Sequence, residues 1–144
     1  MKITGNSKID ISKKVLDDVL NEIIDPSVVN NVELILDTRA NVLSQFGKVT
    51  VENGISKISI YTGAIVNVWD ISFTTADGLD SEEEVFMQVL LFLMIKALRK
   101  ETFNLKVKEI QAITLTKDWA DAKNSLVKVL DKYREKQGVV GLNV

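Results

Sequence analysis

The side chains available for chemistry in this chain are chiefly carboxylates and lysines, because its 144 residues include no histidine and no cysteine. That excludes a Ser-His-Asp or Cys-His centre, a Cys/His zinc site, haem or iron–sulfur ligation, and any disulfide. Two carboxylate groupings remain. Asp77, Asp80, Glu82, Glu83 and Glu84 crowd into one short stretch, and calcium or magnesium favours several such oxygens close together. The stretch lacks the alternating Asp/Asn ligands and distal glutamate of an EF-hand loop, so an acidic helix start accounts for it better. Glu33, Asp37, Glu52 and Asp70 are the other grouping. A metal-dependent hydrolase or nuclease working with only Asp, Glu and Lys would gather Glu33, Asp37 or Asp70 with a lysine around magnesium or manganese. No Glu-x-Lys step on a strand follows an acidic residue here, and charge on a sheet surface is the preferred reading. Neither G-x-G-x-x-G nor a P-loop lysine motif is present, so nucleotide cradling has no support. We therefore assign no catalytic, cofactor-binding or metal residue, and expect no cofactor.

Charge is unevenly spread. Residues 1–93 carry seven basic and 14 acidic side chains, whereas residues 94–144 carry 11 basic and six acidic. Lys96, Arg99, Lys100, Lys106, Lys108, Lys123, Lys128, Lys132, Arg134 and Lys136 offer a patch for RNA or an acidic protein. Interleaved Asp121, Asp131 and Glu135 suit a solvated helix face instead, and no recognition motif accompanies the charge.

These side chains have to be placed by a small set of elements. Val15, Leu16, Val19, Leu20, Ile23 and Ile24 recur at helical spacing after Asp10 or Ser12, either of which can cap, until Pro26. Val32, Leu34 and Leu36 then alternate against Glu33 and Asp37 as a half-buried strand. A short turn or helix over Ala40–Phe46 follows. Asn53-Gly54 tolerates the positive φ of a type I′ turn, so Lys48–Glu52 and Ile55–Tyr61 should pair as a hairpin. After the break at Thr62-Gly63, the apolar run Ala64–Phe73 reads as one long or bent strand. Ser81 followed by three glutamates has capping-box spacing, and the helix it opens, from Glu82 to about Lys100, is apolar around most of its circumference. Leu105–Leu115 reads as a further strand. Thr116 caps a final helix carrying Trp119, Ala122, Leu126, Val129, Leu130 and Tyr133, which Gly138 ends.

The expected fold is α+β: a mainly antiparallel sheet of about four to five strands with an N-terminal helix, a buried central helix and a C-terminal helix. Length and the lack of a linker or repeat predict a single domain over 1–144. Residues 139–144 are apolar and either add a strand or lie loose. A tail of that kind can pair with a sheet edge, so we expect self-association as a homo-oligomer. The absence of cysteine and of an apolar leader after Met1 suggests a cytoplasmic protein. Val85–Leu98 is interrupted by Gln88 and Lys96 and is too short for a membrane span, which needs about 20 residues; no membrane partner is expected.

The strand Val32–Asp37, the strand Gly54-Ile55-Ser56-Lys57-Ile58-Ser59-Ile60-Tyr61 and the acidic-started helix after it resemble, in order, the core of small zincin metallopeptidases of the SprT-like type. The helix of that family reads Leu-Leu-His-Glu-Leu-x-His-Ala-Leu. Here the matching stretch is Leu90-Leu91-Phe92-Leu93-Met94-Ile95-Lys96-Ala97-Leu98. Phe92 and Lys96 stand where zinc histidines would be and Leu93 where the catalytic glutamate would be, so the peptidase activity does not carry over. The resemblance spans Val32 to Lys100. It implies a metal-less frame in which the stripe Gln88, Phe92, Lys96, with Arg99 beyond it, faces a groove beside an edge strand Ile55–Tyr61 and contacts a protein partner there. Burial of Phe92 in the core is the plainer reading of the same residue. The function expected is a non-enzymatic protein-interaction module, of the kind small viral or mobile-element proteins provide. The rivals are the metal-dependent hydrolase or nuclease and an RNA- or acidic-partner-binding protein.

Overall fold

The structure is a computed structural model and describes residues 1–40, 44–73 and 79–136. Its centre is a five-stranded sheet in the order β1-β2-β4-β3-β5, formed by β1 (Lys2–Gly5), β2 (Val32–Asp37), β3 (Gln45–Glu52), β4 (Ile55–Tyr61) and β5 (Phe103–Lys106). β1 and β4 both run parallel to β2, while β3 runs antiparallel to β4 and to β5. The sheet is therefore mixed, not mainly antiparallel. The difference arises from β1, whose four residues are too few to show a period, and from β4, which inserts between β2 and its own hairpin partner.

Alternation along β2 puts Val32, Leu34 and Leu36 inside and leaves Glu33, Ile35 and Asp37 half-buried on the other face. Asn53 and Gly54 both have positive φ at the β3–β4 turn, as the Asn-Gly pair requires. Helix α1 (Lys13–Ile23) buries Leu16, Val19 and Leu20; Ser12 stands at its N-cap without a side-chain capping bond. Pro26 opens a second short helix, α2 (Pro26–Val29), capped by Asp25 accepting from the Ser27 amide.

The run Ala64–Phe73 is not a strand. Thr62–Ser72 forms helix α3, which packs on β2, β3 and helix α4 (Glu82–Leu98). Its β-branched composition favours a strand locally, but contacts on two sides reward a helix, and tertiary packing overrides propensity. The Thr62 hydroxyl fixes its start by donating to Asp37 O and accepting from the Lys8 amide, both at 3.0 Å. Helix α4 is capped by Ser81, whose Oγ accepts from the Glu84 amide, and it buries residues on every side from Val85 to Met94. It lies across β3 and β4, with α3 and α6 (Lys117–Lys136) against it; α6 also packs on α1.

The second strand expectation, Leu105–Leu115, is corrected likewise. β5 stops at Lys106, a 3-10 turn spans Val107–Glu109, and α5 (Ile110–Ile113) buries Ile110 and Ile113. Three-residue spacing of those two isoleucines suits a helical turn better than a strand. Of the segment expected as a turn or helix before Gly47, residues 41–43 lie outside the described residues, and Gln45 and Phe46 belong to β3. Gly138 and the tail 139–144 also lie outside them. Among the described residues no helix is long and apolar enough to cross a membrane.

Candidate functional site

The stripe Gln88, Phe92, Lys96 and Arg99 runs down α4 toward α6 and β5, and burial divides it. Gln88 is fully buried and its Nε2 donates to Trp119 O at 3.0 Å, while its Oε1 has no partner. Phe92 is 1% exposed, with its ring centroid 5.4 Å from that of Trp119 and 5.4 Å from that of Phe103. Phe73 and Phe46 continue this aromatic chain from the other side of Trp119. Lys96 stands where the interior meets solvent. Its Nζ lies over the Phe103 and Phe92 rings and donates to Asp118 Oδ2 at 2.6 Å; Arg99 donates to the same oxygen at 2.9 Å. These bonds hold the Asp118 carboxyl below its usual range, the Lys96 bond most of all, against desolvation that pushes it up.

Among the described residues this stripe does not face a groove beside an edge strand. β4 is an inner strand, flanked by β2 and β3, and the space beyond α4 is filled by Trp119 and Phe103. Gln88 and Phe92 thus have interior roles, and Lys96 and Arg99 clamp the first turn of α6. Leu93, aligned with the zincin glutamate, is fully buried.

The carboxylates are distributed among separate partners. Glu33 lies in register between Lys2 and Lys57. Asp37 receives Arg39 through Nε and Nη2, with Nη2 to Oδ2 at 2.6 Å, and its carboxyl is lowered chiefly by that hydrogen bond. Glu52 pairs with Lys57 at 3.1 Å, and Asp70 is exposed on α3. In the acidic stretch Glu84 accepts from the Asp80 amide at 2.7 Å and faces Arg134 at 3.6 Å; Asp77 lies outside the described residues. Among the described residues no three potential metal-ligating side chains gather.

Much of the basic C-terminal third is spent on clamps. Lys132 and Lys136 reach Glu22 on α1 at 3.4 and 2.9 Å, tying the two helices together. Lys100 donates to Gly54 O at 2.6 Å. Among the described residues Lys106 has only a distant carboxylate partner, Glu109 at 3.9 Å, and Lys108 has none within 4 Å.

Those last two lysines border a site the sequence does not announce. A cavity of about 450 Å³ at the end of β3 and β5 is lined by Ser44, Gln45, Asn104, Lys106 and Lys108, within the size range of small-ligand sites. A register shift between Gln45 and Gly47 opens the ladder there, and Ser44 takes a left-handed φ of 53°. Gln45 is 3% exposed and its Oε1 accepts no hydrogen bond. A buried acceptor left unpaired costs free energy, and Gln45 shares that cost with Gln88. Another cavity, about 410 Å³, lies against Asn6–Ile11, but Ser7 Oγ and the Lys8 amide that border it are already bonded within the fold. Glutamine at the head of a strand gives no sequence signal, and only the pairing register brings Gln45 opposite Lys106.

The chain matches no family model, no curated protein and no solved structure.

Proposed function

We propose that the protein is a non-enzymatic protein-interaction module and that its docking element is the outer edge of β5. One observation carries this reading: β5 ends the sheet, pairing with β3 on one side and with no strand among the described residues on the other. An unpaired edge presents main-chain donors and acceptors to an extended segment of a partner, which can extend the sheet by one strand. The side chains along it fit that use. Phe103 and Leu105 turn toward the core, so Asn104 and Lys106 turn to the open face. A lysine on an edge discourages promiscuous pairing between copies and leaves an acid-bearing partner acceptable. The zincin-like frame belongs to this proposal through its order of strand, hairpin and central helix alone, and supplies no residue of the docking edge.

A photoreactive side chain placed at Asn104, with a control at Lys14 on α1, tests the reading in native cells. The expected result is one discrete adduct from position 104, mapped by mass spectrometry to an extended segment of the partner. Equal or absent adducts from both positions overturn the docking edge. Substrate turnover by the pure protein, abolished by a point substitution, overturns the non-enzymatic reading.

A further inference from the structure

The cavity bordered by Lys106 and Lys108 spans the open face of β3 and β5 beside the edge just described, and its chemistry constrains what docks there. Two features point the same way. Lys106 and Lys108 contribute two ammonium groups with little or no neutralisation from the described residues. Asn104 adds an amide on the open face, and Lys48, in register with Asn104, carries a further positive charge with no ion-pair partner among the described residues. A ligand satisfying this set bears carboxylates for the lysines.

We infer that the segment captured on β5 is an acidic extended peptide, with one carboxylate opposite Lys106 and a second two residues along reaching Lys108. This inference rests on the proposed docking edge. The two-residue spacing follows because alternate side chains of an added strand share a face, the face of Asn104 and Lys106. The charge set also suits an RNA phosphate backbone, but none of the five described lining residues is aromatic, so they offer unpaired bases no stacking platform. A main-chain edge offers hydrogen bonds that a peptide can use and a sugar–phosphate chain cannot match in register.

The test titrates the whole protein, isotope-labelled, with a capped eight-residue peptide of alternating threonine and valine in which two threonines, two positions apart, are replaced by glutamate. A control peptide carries glutamine at both positions, and an octauridine strand is titrated separately. The expected result is amide shifts confined to β5 and to residues 44–49 and 107–109, with the glutamate peptide binding at least tenfold tighter than its control. Lys106→Glu with Lys108→Glu should erase that preference. Equal binding of both peptides at β5 overturns the acidic partner and leaves the docking edge standing. Failure of both peptides to shift β5 overturns the edge as well, and shifts from the RNA alone overturn the peptide in favour of nucleic acid.

Discussion

Lys96 Nζ donates to Asp118 Oδ2 at 2.6 Å, joining the last turn of α4 to the first turn of α6 with each side chain only 14% exposed. The lysine stem packs over Phe92 and Phe103, so charge and aromatic surface are served by one residue. An acid at the N-terminal turn of α6 also suits the helix dipole. The pair lies between an exposed ion pair, worth less than about 1 kcal/mol, and a fully buried one, whose breaking costs about 3–5 kcal/mol. Asp118→Ala should cost about 1–3 kcal/mol, read by urea unfolding. A loss below about 0.5 kcal/mol would show that the contact is replaced by water without penalty.

Acid should weaken the same contact. Lys96 and then Arg99 hold the folded Asp118 carboxyl below its ordinary value of 3.8, so the native state resists its protonation more than the unfolded chain does. The stabilisation is fully present above that ordinary value and is lost as pH falls through the lower folded one. Asp37, held down chiefly by Arg39, has the same sign. Unfolding free energy should therefore decline below about pH 4, and Asp118→Asn should make the decline shallower. An unchanged slope in the variant would remove Asp118 from the account.

How far the sequence revealed this arrangement depended on whether a signal was local. The hairpin at Asn53-Gly54 and the cap at Ser81 are contained within a few residues, and both appear where expected. Ala64–Phe73 was ambiguous because a short apolar run has no period that separates a buried helix from a strand, and the deciding contacts come from α4 and β3. The stripe Gln88, Phe92, Lys96 and Arg99 was visible as a stripe. What it faces depends on Trp119 and Asp118, some 20 to 30 positions away, so its interior role was not. Gln45 was invisible for a similar reason: its partner across the ladder is Lys106, and the orphaned carbonyl exists only in that register.

Phe92 gives the clearest single-residue check of the core. It is 1% exposed and touches two aromatic rings. Phe92→Leu keeps most of the apolar volume and should cost about 1–2 kcal/mol, whereas Phe92→Asp adds an unpaired buried charge and should prevent folding. Circular dichroism melts of both variants decide the matter. A cooperative melt for Phe92→Asp within a few degrees of the parent would place Phe92 at the surface.

Gly5 is required by its surroundings. Its φ is +87°, and a Cβ there would lie 1.9 Å from Leu36 O on the strand it pairs with. Strain from the backbone and the collision with a main-chain atom act together, so Gly5→Ala should cost at least about 2 kcal/mol. Gly54→Ala is the control, since its positive φ is strained but nothing lies within 4 Å of the added carbon. Equal melting temperatures for the two variants would show that β1 gives way at its end instead of resisting.

Gln88 sets two costs against each other inside one side chain. Its Nε2 bond to Trp119 O contributes about 1 kcal/mol, but the buried Oε1 has no donor and forfeits about 1–3 kcal/mol of hydration. Gln88→Leu removes both and leaves one lone pair of the Trp119 carbonyl unsatisfied, a lesser burden than an orphaned amide. The balance favours the variant, so it should be as stable as the parent or up to about 1 kcal/mol more so. Gln88→Glu places a carboxylate on the same site against Trp119 O, repelling an oxygen where an N–H had donated. It should lose about 3 kcal/mol or more near neutral pH and recover part of that on acidification, because burial favours its protonated form. Chemical unfolding of the two variants at pH 7 and pH 5 reads both signs. A destabilised leucine variant would mean that the Trp119 bond outweighs the orphaned oxygen.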